Sequence, residues 1–493
     1  MGLLDRFRRR RRPPGRARQG RAYDAARRDR LFAAWVATGL TADAELRTSL
    51  PLIRARSREL AHNADYARRF LKLLRSNVVG PRGIVLQVRA RDERTGEFDK
   101  DANKRIEERW KAWSRKKICT VDGRFSWQEV QRVVLESLAR DGEILVRKVR
   151  GFPNGHDFAL QLLEADHLDE THFDRLSSGS EIRMGIEVDR WGRPQAYHLR
   201  VRHPGDDMPA GGIRLREYER IPADEMVHGL LPERPTQSRG VPWMHTAMTR
   251  LNMGSGYEEA ELVAARVGAA KMGFYKTETG EEYTGDDTDE KNNVIQEAEP
   301  GAFEELPRGW SVETFNPDHP STAFGDFQKA VLRGVASGLN VSYHALASDL
   351  SGVNYSSARV GELTDREYWK ELQGWFVENL LQDVYEDWLT VQIDAGHLPL
   401  PARKLETFLA AARWQPRGWA WVDPEKESEG NRKAYALGTK SLTEIAAEQG
   451  RDLEETFEQI AAERKLAEKL GIVIDASGGS APAREPAAAA QED

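Results

Sequence analysis

From Ala358 the chain runs to Ala395 without a proline, stopped only by Gly396 and by Pro399 beyond it. Trp369, Leu372, Trp375, Phe376, Leu380, Val384 and Trp388 recur along it at helical spacing. The pattern predicts one very long helix with a glycine stop, longer than a small domain is wide. The fold must therefore be built around an element that crosses more than one layer. Directly before it lies a polar stretch, Asp349–Ser357 (D-L-S-G-V-N-Y-S-S), in which Gly352 supplies backbone freedom for a reversal and Ser356 or Ser357 is positioned to cap the helix.

The 493 residues are enough for about three domains. The expected fold class is α+β, with several units. Residues 1–40 read as an Arg-rich arm broken by Pro13-Pro14-Gly15. Residues 41–77 read as helical, with Pro51 near a helix start. Ile84–Val88 reads as a strand, Lys104–Trp113 as a charged helix, and Ser126–Arg140 as a helix with a Ser126/Glu129 capping box. Strands follow at Glu143–Val149 and Phe158–Leu163, then a hairpin of Ile186–Val188 and Ala196–Val201 turning at Arg190-Trp191-Gly192-Arg193. Residues 41–240 thus form an α+β unit. Pro242–Met272, within a 241–272 segment, is a helix dotted with small residues, of which Gly254, Gly256 and Gly268 are candidates for close approach by a neighbouring helix. An acidic insert spans 273–320. A second helix, 321–341, is capped by Ser321 and carries the stripe Phe324, Phe327, Val331, Val335 and Leu339. Residues 342–357 contain the polar loop and 358–422 the long helix and its return. Residues 423–472 hold three short helices punctuated by Gly438, Gly450 and Gly471, and 473–493 an Ala-rich tail.

Charge is spread unevenly beneath a net −6. Residues 1–30 hold twelve Arg against Asp5, Asp24 and Asp29, a balance of +9. Residues 277–305 hold eleven Asp or Glu against Lys291, a balance of −10. The run Arg8, Arg9, Arg10, Arg11 and Arg12 suits a polyanion, through salt-sensitive contacts that read no sequence; the bland alternative is a solvated tail. The 13 Trp suit either core or interfaces.

Catalytic and metal signatures are weak or missing. Cys119 is the one cysteine, which removes disulfide frameworks and Cys-based zinc sites. No apolar run reaches the roughly 20 residues of a membrane helix, so no membrane partner is expected. No phosphate-cradling loop exists, since Gly438-Thr439-Lys440-Ser441 lacks the Gly-Lys pair. His167, Asp169, His172 and Asp174 cluster in a loop and read as a solvated turn before a metal site. The expectation is no enzyme, no cofactor and no metal.

The segment Asn354-Tyr355-Ser356-Ser357-Ala358-Arg359 resembles the N-Y-S-S-A-R signature of lambda-type tailed-phage portal proteins. Further elements of that family stand in the same order. They are R-x-R-S-R-x-L-x-x-N at Arg54–Asn63, N-V-V-G at Asn77–Gly80, G-E at Gly142-Glu143, and I-P-A-D-x-x-x-H at Ile221–His228. R-G-x-P follows at Arg239–Pro242, W-V-D-P-x-K at Trp421–Lys426, and G-R-D at Gly450–Asp452. The resemblance implies a wing (41–240), two stem helices, a clip made by the acidic insert, a tunnel loop at the narrowest point of a channel, and a helical crown (423–472). The tunnel-loop residues would be Asp349, Ser351, Gly352, Val353, Asn354, Tyr355, Ser356, Ser357 and Arg359. It also implies a homo-oligomeric ring of twelve subunits at one capsid vertex of the virion, made in the host cytoplasm. Double-stranded DNA would pass non-specifically, and the terminase large subunit, the major capsid protein or scaffold, and head-tail connectors would dock. An Arg-armed nucleic-acid-binding regulator and a capsid or tail component that touches no DNA remain the alternatives.

Overall fold

The computed structural model describes residues 30, 34–92, 94–206, 217–269, 273–277, 309–314, 324–352, 354–419 and 424–472. The Arg8–Arg12 run, most of the acidic insert, Val353, Ser321, Trp421–Asp423 and the Ala-rich tail lie outside them.

The first unit opens with α1 (Ala42–Asn63), whose N-cap Thr41 accepts from the Ala44 amide at 3.2 Å. Pro51 stands well inside α1 instead of near its start, a correction to the sequence expectation. The chain breaks at Ala64 and continues as α2 (Asp65–Leu74) and a π turn, Arg75–Val79, that ends at Gly80 with φ +73°. Strand β1 (Val85–Val88) follows, then α3 (Lys100–Trp113) and α4 (Trp127–Asp141). The Ser126/Glu129 capping box forms as expected: each side chain answers the other residue's backbone amide.

Two antiparallel sheets come next. Strands β2 (Glu143–Arg150) and β3 (Phe158–Leu163) form one with β9 (Met226–Leu230), in the order β3-β2-β9. The other is a meander of β4 (Asp174–Arg175), β5 (Glu181–Arg183), β6 (Ile186–Val188), β7 (Pro194–Arg200) and β8 (Tyr218–Pro222). The expected β6–β7 hairpin is present. Asp189 ties its turn by accepting from the Trp191 and Arg193 amides at 2.8 and 2.9 Å.

Helix α5 (Met248–Ala269) leads to β10 (Gly273–Thr277), which pairs antiparallel with β11 (Trp310–Thr314), so the two ends of the acidic insert meet. Helix α6 (Phe324–Gly338) returns beside α5. Then come α7 (Tyr343–Ala347), α8 (Tyr355–Phe376), a π turn over Val377–Leu381, and α9 (Gln382–Asp394). The long helix therefore exists with a π turn inside it. It begins at Tyr355, three residues before the expected start. Helix α10 (Leu405–Ala410) and β12 (Ala412–Gln415) bring the chain back to pair with β1, and α11 (Pro424–Ala436), α12 (Leu442–Glu448) and α13 (Leu453–Leu470) complete it.

One core joins these parts. Trp110, Trp113, Trp127, Trp388 and Tyr385 pack as tilted, edge-to-face or stacked rings with centroids 4.8–6.3 Å apart, geometries favoured by the ring quadrupole. The Trp113 Nε1–H donates to the Phe158 carbonyl at 2.9 Å. The long helix is thus anchored in the first unit, and Lys148 on β2 adds ion pairs to Asp383 (2.9 Å) and Asp387 (3.5 Å) of α9. Most tryptophans are core residues. Trp191 and Trp35 are exposed, at 81% and 61%.

Candidate functional site

The site builds outward from a buried charge. Glu143 opens β2 directly after Gly142 ends α4 in the left-handed region (φ +91°). Its carboxylate is fully buried between two arginines. Arg239 forks onto it, with Nε at 3.0 and 2.9 Å from the two oxygens and Nη2 on Oε1, while Arg54 of α1 donates from Nη2 at 2.8 Å. The Gly240 amide donates at 3.1 Å and His228 Nε2 lies 3.1 Å away. Arg239 spends its remaining donors on the carbonyls of Leu168, Met184 and Ala165. Burial alone would push the Glu143 carboxyl up. The charges of Arg239 and Arg54 and the His228 contact override it and hold the group well below the usual carboxylate range.

Around this hub the outer contacts are equally specific. Arg54 also reaches Glu170 (2.6 Å), and Arg58, one turn on, binds Asp141 (2.8 Å) and Asp166. The backbones of Gly142 and Gly240 touch. A Cβ on Gly240 would stand 2.0 Å from the Gly142 carbonyl oxygen, and one on Gly142 would stand 2.4 Å from the Val241 carbonyl carbon. Four elements scattered along the sequence, at Arg54–Asn63, Gly142-Glu143, Ile221–His228 and Arg239–Pro242, thus converge on one point. Each of them is visible in the sequence, but that they share a carboxylate is not. The available signal was Glu143 itself, a charge placed directly before the apolar run Ile144-Leu145-Val146.

Arg239 and the hub hold the segment that becomes α5, and α5 with α6 carries the candidate loop. Gly254 faces α6 with only Val331 Cγ1 near, at 3.9 Å from a would-be Cβ, and Gly256 faces open space. Within the subunit neither glycine is needed for close packing. Gly268 ends up near the top of α5, and its surroundings lie outside the described residues. Closer approach occurs at the base, where a Cβ on Gly338 would meet Thr246 Oγ1 at 2.9 Å.

The loop itself is built by short hydrogen bonds. Ser342 caps α7 and its amide donates to Asp365 of α8 at 3.0 Å. Ser348 takes a left-handed conformation (φ 54°) and Gly352 another (φ +74°), which produces the reversal. Asp349 accepts from the Ser351 amide and the Tyr343 hydroxyl, each at 2.8 Å, with Lys329 of α6 at 3.9 Å. Bonds from the Ser351 side chain and amide, then from Tyr343, hold its carboxyl down to about 2. Leu350, Ser351 and Gly352 are exposed at the tip.

Because α8 begins at Tyr355, Ser356 and Ser357 fall inside its first turn. The capping position belongs to Asn354, a residue type favoured there. Arg359 pairs at 3.5 Å with Glu427 of α11, so in the subunit its partner is intramolecular. Of His167, Asp169, His172 and Asp174, read from the sequence as a solvated turn, only Asp174 is exposed, while Asp169 is buried. Asp169 accepts from Tyr218, Thr171 and Arg200, and His172 stacks on Tyr218 with centroids 4.3 Å apart. Glu164, Asp166 and His203 approach one another, but Arg58 already pairs with both carboxylates. No described helix is long and apolar enough to cross a membrane.

Residues 28–373 match the family described as phage portal protein, lambda family. The chain is 38% identical over 460 residues to the probable portal protein of Halomonas phage phiHAP-1, covering 92% of this chain and 88% of that one. It is 20% identical to portal protein B of Escherichia phage lambda, covering 86% and 85%. Among solved structures it resembles a subunit in the neck of an empty GTA particle, at 15% identity, with 84% of this chain and 94% of that one covered and a TM-score of 0.43. The ordered elements, the hub that unites four of them, and the match across most of the length lead to one conclusion: the chain belongs to the lambda family of phage portal proteins.

Proposed function

We propose that twelve copies of this chain close into a ring at one vertex of a capsid, and that double-stranded DNA passes through its axial channel during packaging and ejection. The observation that carries this reading is α5. Leu251 of that helix is buried within the subunit, while Met253 (68%), Leu262 (67%) and Val263 (52%) are exposed, as is Phe327 of α6 (52%). Large apolar side chains left exposed on neighbouring helices mark a surface that a partner covers. A closed ring covers it by a heterologous contact, one face meeting a different face of the next subunit. In this arrangement α5 and α6 are the stem, the acidic insert is the clip that offers a surface to the terminase large subunit or to head-tail connectors, and residues 41–240 are the wing facing the major capsid protein or scaffold. The loop 349–357 lines the channel. Its exposed tip is small and polar at Ser351 and Gly352, and the nearby Lys329, which donates to Ser351 Oγ at 3.4 Å, is balanced by Asp349 at 3.9 Å. The Arg8–Arg12 run serves a polyanionic or capsid partner, and no bound cofactor or catalytic step is required.

Electron microscopy of purified protein tests the ring, and a strictly monomeric protein in the presence of capsid and scaffold sinks it. The channel assignment is tested by Ser351→Arg with Val353→Arg. Rings should assemble while DNA packaging falls, because added guanidinium groups hold phosphates. Normal packaging by that variant removes the loop from the channel.

A further inference from the structure

The cleft with the clearest unassigned chemistry, about 1480 Å³, lies between β1, the outward face of α3 and the start of α13. Its floor is a strand edge. β1 pairs with β12 through Val85, Gln87 and onward to Arg89, whose amide donates to the Ala411 carbonyl at 3.0 Å. The even-numbered backbone groups point the other way, and polar side chains cover them on both sides of one gap. Gln131 accepts from the Ile84 amide (2.8 Å) and donates to the Ile84 carbonyl (3.1 Å). Glu107 accepts from the Val88 amide (2.7 Å), and Asn103 answers both backbone groups of Ala90 (3.0 and 3.1 Å). Between them the Leu86 amide and carbonyl take no partner among the described residues.

The wall is cationic. Lys100, Lys104 and Lys111 share one face of α3, since residues four and seven apart stack on a helix, and Arg115 continues the row. All four are exposed, and none is ion-paired among the described residues. An open backbone edge beside a row of lysines fits a chain that is extended and acidic. It does not fit a duplex, which offers no backbone that could pair with the strand at Leu86.

We propose that this cleft binds an extended acidic segment of a partner protein, which adds to β1 at Leu86 and lays its carboxylates along Lys100, Lys104 and Lys111. The inference goes beyond the ring reading and does not depend on DNA passage.

The test uses the full chain and a fluorescein-labelled peptide of about twelve alternating Glu and Val residues, long enough to span the strand, followed by anisotropy. Saturable binding is expected. Lys104→Glu with Lys111→Glu should weaken it about tenfold, with unchanged melting, since both side chains are exposed. A peptide N-methylated at its central residues should bind as weakly, because it cannot pair with Leu86. The proposal is overturned by no binding, by equal affinity for the charge-reversed protein, by equal affinity for the N-methylated peptide, or by displacement with a DNA duplex of about 20 base pairs.

Discussion

The hub around Glu143 and helix α5 follow opposite rules. At the hub every charge is removed from water and every donor is assigned: Glu143 is met by two arginines, a histidine and an amide. On α5 the apolar side chains Met253 and Leu262 stand in water. The first region is complete within one subunit. The second leaves apolar surface uncovered within the subunit. A buried ion pair is weak evidence for stability, because desolvation offsets the Coulombic attraction, but breaking one leaves an uncompensated buried charge. The hub therefore acts as a positional lock for four distant segments, while α5 keeps apolar side chains at the surface.

The largest expected effect is at the lock. Arg239→Ala should lower folding stability by about 3–5 kcal/mol, read from urea denaturation of the subunit; a loss under about 1 kcal/mol would show that the fork is incidental. The pH response follows with a definite sign. Glu143 is held below its unfolded value of about 4.3, so its contribution is fully present above that pH and is lost as pH falls through the folded value. Stability of the wild type should therefore drop as pH is lowered below about 4, and Glu143→Gln, already destabilised, should show a shallower slope over the same range. Parallel slopes in the two proteins would assign the acid sensitivity elsewhere.

A smaller effect belongs to the capping box. Ser126→Ala should cost about 1 kcal/mol, because the Glu129 amide loses its acceptor at the head of the helix that ends in Gly142. The smallest change in subunit stability should come from the stem. Met253→Glu with Val263→Glu should alter denaturation by no more than about 0.5 kcal/mol while abolishing ring formation in light scattering. If the variant still forms rings, the exposed face of α5 is not an interface and the contrast between the two regions fails.

Much of the local structure was legible in the residues. Ser126 with Glu129 reads directly as a capping box and forms as such, and Ser441 with Glu444 makes the same reciprocal bonds at the head of α12. Gly438, Gly450 and Gly471 stop their helices with φ +69°. These signals act over four or five residues, so the sequence carries them whole. The start of α8 was misplaced because Tyr355-Ser356-Ser357 reads equally well as a polar loop or as a first turn, and Asn354 is as good a cap as either serine. The break between α1 and α2 was missed for a similar reason, since Ala64 carries no local breaker.

What the sequence by itself determined was the set of elements, their order, the family, and the lopsided charge of arm and insert. Each of these is a property of neighbours in the chain or of an ordered pattern. Tertiary structure decided that Arg54, Glu143, His228 and Arg239 are one object, that Gly142 and Gly240 are glycines because their backbones touch, and that Arg359 pairs with Glu427. The physical reason is the separation: Arg54 and Glu143 lie 89 residues apart. No periodicity or cap encodes a contact of that range. Only packing around the shared tryptophan core brings the two charges into hydrogen-bond distance, where their burial makes the pairing obligatory.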